Sequence, residues 1–181
     1  MSQIFSKIAK IGLWVLVPTL FISGTKLDNQ PVSSMLNDGD YTMQITGNLN
    51  NQLSGEVNFE TAIETTSKGI SFSTLKLKLD NKEQVLPHSM EFLISKENIT
   101  AILPTGTYEV AENQEGFLNY FDGVFGFANI NALGELPLFA KSGKVQIDYL
   151  DNTTVKGTLN VTMSNTIGNS VQIRGNFVAT K

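Results

Sequence analysis

Three groups of residues in this chain have types that could do chemistry, and each lacks something the chemistry requires. His88 is the only histidine, and it sits beside a proline in Leu86-Pro87-His88-Ser89-Met90. A catalytic or metal-bound histidine needs a nucleophile to deprotonate, an acid to orient it, or further ligands to close a coordination shell. The chain has no second histidine and no cysteine, so His88 reads as a turn residue. Glu56, Glu60 and Glu64 invite a paired-carboxylate mechanism, which needs one carboxyl desolvated so that it keeps its proton near neutral pH. These three share the polar phase of a strand-like segment, where water leaves them ionised. Asn37-Asp38-Gly39-Asp40 begins like a calcium loop but lacks the later oxygen ligands, and reads as the turn that opens the first strand. No Gly-x-Ser-x-Gly elbow, His-Glu-x-x-His helix or phosphate-cradling glycine loop is present. The expectation is a protein without catalytic residues, metal or cofactor.

One segment keeps a functional reading. Residues 113–139 hold Phe117, Tyr120, Phe121, Phe125, Phe127 and Phe139. The first five are candidate ligand-binding residues, forming a hydrophobic lip or pocket for an apolar ligand or partner. The competing reading is a lid that closes the core at one end of the domain, with the rings packed inward. Phe117, Tyr120, Phe121 and Val124 have the i, i+3, i+4, i+7 spacing of one or two helical turns, which Gly123 and Gly126 would end. The alternative is that Phe125 to Asn131 resumes a strand.

The elements around these residues read as strands. Tyr41, Met43 and Ile45 alternate with polar residues, and Val57, Phe59 and Ile63 share a face opposite the glutamates. This is an antiparallel pair turning at Asn48-Leu49-Asn50-Asn51-Gln52. The next strand has a phase break: Ile70 and Phe72 are even-numbered, whereas Leu75, Leu77 and Leu79 are odd. A bulge near Thr74 would bring both sets to the core. Short strands follow over 89–95, 98–103 and 107–112, with a Pro/Gly turn in Leu103 to Tyr108. Val145, Ile147 and Tyr149, then Val155 to Met163, then Val171 to Ala179, make a closing three-stranded meander. Gly55, Gly143, Gly157 and Gly175 each precede an apolar strand position by two. Their spacing holds no fixed period, so they mark bulges or strong twist rather than repeats. The fold class expected is all-β, a single antiparallel sandwich or flattened barrel of roughly 8–10 strands over residues 40–181.

Before that domain come a polar tether, 25–39, and an export signal, 1–24. Lys7 and Lys10 form a positive start, and Ile11 to Ile22 is an uncharged apolar run too short for a membrane-spanning helix, which needs roughly 20 residues. Ile22-Ser23-Gly24 resembles the end of a bacterial lipoprotein signal, but Thr25 stands where a cysteine would be alkylated. A threonine hydroxyl cannot replace a thiolate, so lipidation is excluded and cleavage between Gly24 and Thr25 is expected. Membrane attachment would then come only from an uncleaved signal. With a bacterial-type signal, the Asn-x-Thr sequons at Asn98, Asn152 and Asn160 read as ordinary strand and turn chemistry.

Composition fits this class. The chain has 181 residues, 41% hydrophobic and 17% charged, with net charge −4. Removing the signal leaves 11 basic against 17 acidic residues. A phosphate-binding surface needs clustered lysine and arginine; the domain has the single arginine Arg174 and scattered lysines, so nucleic acid is not an expected partner.

Taken together, "DGDYTMQITGNLNNQLSGEVNFE", "LPTGTYEV" and "SGKVQIDYLDNTTVKGTLNVTMSN" with "VQIRGNFVAT" resemble the small uncharacterised β-domains of bacterial cell-envelope lipoproteins. The resemblance covers roughly residues 38–180. It implies an envelope location, an antiparallel sandwich or flattened barrel, no assigned activity, and an envelope protein or apolar ligand as partner. It brings no catalytic residues.

Overall fold

A computed structural model describes residues 36–81, 85–97, 103–111 and 121–181. The signal segment, most of the tether, and the expected strand at 98–103 apart from Leu103 lie outside them.

Among the described residues nine strands form one antiparallel sheet: β1 Asp40–Gly47, β2 Asn51–Thr65, β3 Ser71–Asn81, β4 His88–Glu97, β5 Gly106–Glu109, β6 Gly123–Ile130, β7 Leu138–Leu150, β8 Thr154–Ser164 and β9 Ser170–Thr180. Eight of them close into a barrel in the order β7-β6-β4-β3-β2-β1-β9-β8, with β8 returning to β7. The ninth, β5, is a splint. β6 and β7 pair only through Phe127–Phe139 and Ala128–Leu138. Where they splay apart, β5 pairs with β7 and Val110 bridges to Val124. Closure removes the two end edges that an open sheet exposes to aggregation.

Period-two alternation decides which residues face the lumen. Tyr41, Met43 and Ile45, then Leu75, Leu77 and Leu79, then Met90, Phe92 and Ile94 are fully or almost fully buried inside. Their outward neighbours are polar: Thr42 and Gln44 on β1, and on β2, β3 and β4 two ion pairs, Lys76 with Glu91 at 2.7 Å and Lys78 with Glu60 at 2.8 Å. An apolar interior inside a largely polar wall is the inverse of a membrane-spanning barrel, whose apolar band faces outward.

The inward glycines explain how such large side chains fit. Gly55 lies directly opposite Tyr41, Gly175 opposite Met43, Gly157 opposite Phe177 and Gly126 opposite Phe92. A β-carbon on Gly126 would stand 2.6 Å from Phe92 Cε1, and one on Gly157 2.9 Å from Phe177 Cζ. At Gly126 the room is taken by the Phe92 ring, the small-against-large filling that a tapered barrel needs. At Gly55, Gly143, Gly157 and Gly175 a β-carbon would first meet the carbonyl oxygens of Asp80, Asn160, Gln146 and Thr42, so the recurrence visible in the sequence marks close approach of neighbouring backbone together with room for the facing side chain. Bulges do occur, but on β7, where the pairing with β8 skips Lys141 and Asp148. Gly143 follows the first bulge with φ +109°, and Gly157 lies beside the second.

The bulge expected near Thr74 is absent. β3 runs in unbroken register against β2 and against β4. Ile70 is exposed, in the turn before β3, and Phe72 is buried on the phase opposite Leu75, Leu77 and Leu79. Ile63, expected in the core, lies 53% exposed on the part of β2 that overhangs the barrel. The turn at Asn37–Asp40 is as expected: the Asp40 N–H donates to the Asn37 carbonyl, and Gly39 has φ +91°.

Candidate functional site

The candidate aromatics divide. Phe117 and Tyr120 lie outside the described residues, as do Gly24 and Thr25. Phe121 is half-buried, just before β6. Phe125 and Phe127 lie on β6, which runs as a strand, and they do not close the core as a lid. Val124, Gly126, Ala128 and Ile130 take the inward phase, so both phenylalanines stand on the outer wall. Phe92 explains the choice: it fills the lumen over Gly126, and only small residues fit opposite it.

Outside, Phe125 and Phe127 form a cluster with a residue that sequence reasoning left off the candidate site, Phe139 on β7. The ring centroids of Phe125 lie 6.4 Å from Phe127 and 6.3 Å from Phe139, within the range of favourable aromatic pairs. Phe127 and Phe139 are directly opposite across the ladder, as are Phe125 and Leu93. Phe139 is 39% exposed. The Lys76–Glu91 ion pair borders the cluster, since Lys76 is opposite Leu93 and Glu91 opposite Phe127. The signal that could have found this face is the smallness of Gly126 and Ala128 on the alternate phase.

His88 is not a turn residue. It opens β4, points inward and is 5% exposed. Its Nδ1 lies 2.7 Å from the Leu86 carbonyl and its Nε2 2.5 Å from the Tyr41 hydroxyl. A carbonyl only accepts, so Nδ1 carries the proton, and Nε2 accepts from Tyr41. Burial, then the nearby Asp80 carboxylate, hold the Tyr41 phenol well above its ordinary range. Both imidazole nitrogens are occupied by structural bonds. Ser95, a buried hydroxyl without a hydrogen-bond partner, sits seven residues along β4, about 23 Å away at strand rise, so the two cannot act as nucleophile and base.

The glutamates are also apart from any site. Glu60 is held below its ordinary range by the hydrogen bond and charge of Lys78, the direction opposite to that of a general acid. Among the described residues, no group of three His, Cys, Asp or Glu side chains is placed to hold a metal. At the far end of the barrel Asp151 organises the β7–β8 turn. It accepts from the Tyr149 hydroxyl and from the Thr153 and Thr154 amides, each at 2.7 Å, and these bonds hold its carboxyl far below the usual range.

No family model, no curated protein and no solved structure matches this chain.

Proposed function

We propose that this chain is an exported, non-enzymatic β-domain of the bacterial cell envelope that binds a protein partner or an apolar ligand. The binding face is the outer wall of the barrel, and the observation that carries this is the cluster of Phe125, Phe127, Phe139 and Leu93. Phe139 is exposed and Phe125, Phe127 and Leu93 are half-buried on a wall that is otherwise largely polar, and apolar patches of this kind mark interaction surfaces. The described lumen is filled by the protein's own side chains, which directs binding outward. Export rests on the signal pattern of residues 1–24, and release on the absence of a thiol at Thr25.

Two measurements on protein from its native host test the reading. Intact mass is expected to show a species beginning at Thr25, without Trp14 and so without tryptophan fluorescence. A retained Met1 or a diacylglycerol increment contradicts release. In envelope extracts, the wild type is expected to sediment in a complex that a Phe125→Ser/Phe127→Ser variant does not enter. Equal sedimentation of the two contradicts the assigned face.

Strand pairing at a sheet edge is the second reading. Barrel closure removes the end edges of the sheet, but the lower half of β2 keeps one.

A further inference from the structure

β2 outruns its neighbour. It pairs with β1 only as far as Asp40–Glu56, and the ladder with β9 is the single bridge Asn58–Thr180. On its other side the pairing with β3 continues to Thr65. Among the described residues, 60–65 are thus paired on one side only, and nearly all are exposed.

The direction of the free backbone groups follows from the ladder. The Val57 N–H donates to the Gly39 carbonyl at 2.7 Å, on the β1 side. At the far end, the Thr66 N–H donates to the Ile70 carbonyl, on the β3 side. Antiparallel strands turn their N–H and C=O groups to alternate sides at each residue. Odd-numbered residues of β2 therefore address the β1 side and even-numbered ones β3. Thr61 and Ile63 aim two donors and two acceptors into a position where, among the described residues, no strand lies.

That position opens on a notch. Its walls are Ile63 from β2, Leu103 from the segment before β5, and Leu150 to Asn152 from the β7–β8 turn, enclosing about 220 Å³. The volume takes one or two aliphatic side chains rather than a second sheet. The charges along this edge of β2 differ. Lys181, with its ammonium 5.4 Å over the Phe59 ring, lies at the Phe59 end and Glu64 at the other, while Asp151 lines the notch itself.

We propose that the β2 edge at Thr61 and Ile63 is a strand-addition site for an extended segment of a partner polypeptide. The segment runs antiparallel to β2, sets an aliphatic side chain in the notch, and carries a basic residue near Glu64 and an acidic group or carboxyl terminus near Lys181. Backbone pairing supplies affinity and the notch supplies register, as in other edge-addition complexes. The inference rests on the strand-pairing reading and is independent of the aromatic cluster.

The probe is an eight-residue peptide of alternating threonine and valine with an amino-terminal lysine and a free carboxylate, added to the full chain and followed by residue-resolved amide exchange. In the free chain the Thr61 and Ile63 amides are expected to exchange freely. With the peptide their exchange slows about tenfold or more. Thr61→Pro removes the donor that faces the free edge and spares the β3 ladder, as proline is tolerated at such edges. It is expected to weaken binding at least about tenfold with little change in melting temperature. The same peptide N-methylated at alternate residues tests the wild type without relying on that variant to fold, and it should not bind. Phe125→Ser should bind the peptide as the wild type does, which separates this site from the aromatic face. Protection of Thr61 and Ile63 in the free chain, absence of protection at about 1 mM peptide, or equal binding of the N-methylated peptide overturns the proposal.

Discussion

Gly126→Ala adds one methyl group to a filled lumen, and the structure sets its cost. Gly126 lacks the positive φ found at eight other glycines, so alanine can adopt its backbone. The new β-carbon would lie 2.6 Å from Phe92 Cε1, far inside the 3.5–4.0 Å at which carbons attract. Phe92 is fully buried and cannot swing to solvent. Overpacking of this kind costs about 1–3 kcal/mol, offset by the roughly 0.5–1 kcal/mol that alanine gains over glycine in a strand interior. With the β-carbon so far inside contact distance the upper part of that overpacking range applies, about 2–3 kcal/mol, so the net destabilisation is about 1–2.5 kcal/mol, a fall in melting temperature of about 2–10 °C for a domain of this size. Phe92→Leu removes the clashing ring at its own cost of about 1–2 kcal/mol, a cavity cost. Combined with Gly126→Ala it should cost clearly less than the sum, with a coupling of about 1 kcal/mol or more. Chemical denaturation of the four proteins measures this. Gly168→Ala is the control: its φ is +94° and nothing lies within 4 Å, so its cost is purely conformational and Phe92→Leu should not relieve it. A neutral Gly126→Ala, or strict additivity with Phe92→Leu, would refute the small-against-large account of the lumen.

Tyr41→Phe leaves the buried Nε2 of His88 without its donor and should cost about 1–3 kcal/mol by denaturant titration at neutral pH. Alkaline stability should fall early. Burial pushes the Tyr108 hydroxyl, bonded to the Pro104 carbonyl, up to about 12, with Asp122 adding to the effect, and Tyr41 is raised for similar reasons. The unfolded chain releases these protons near pH 10 while the folded chain holds them. Stability is thus level below about pH 10 and declines above it, by up to ~1.4 kcal/mol per pH unit for each tyrosine. Denaturation midpoints at pH 9, 10.5 and 11.5 measure the slope, and Tyr41→Phe should reduce it. Asp151 behaves in the opposite sense. Its carboxyl is held below the ordinary range, so what it contributes to the β7–β8 turn is present above about pH 4 and lost as the pH falls. Asp151→Ala should abolish that acid dependence in thermal melts.

Much of the fold is legible where one phase is apolar and the other polar. The β1–β2 pair and the closing meander of β7, β8 and β9 follow directly from alternation. Legibility fails where both phases carry apolar residues. In β3, Phe72 shares a strand with Leu75, Leu77 and Leu79, and alternation alone invites a bulge, although the register is unbroken. In β7 the opposite happens: Leu138 and Val145 both face inward across an odd interval, and the bulge at Lys141 is what reconciles them. A bulge is a property of two strands, so one strand's pattern does not place it. The outward turn of Phe125 and Phe127 has the same origin, because it depends on Phe92, distant in sequence, occupying the space over Gly126. His88 reads as a turn residue in the sequence because its partner Tyr41 is 47 residues away.

The claim that binding occurs on the outer wall is most directly tested by site-specific photocrosslinking in the native host. A photoreactive phenylalanine analogue replaces Phe127 in the exported protein, and in a second strain it replaces Gln172, which faces outward on β9. The account predicts a discrete adduct from position 127 and none of that mass from position 172. Identical adducts from both positions, or none from position 127, would contradict it.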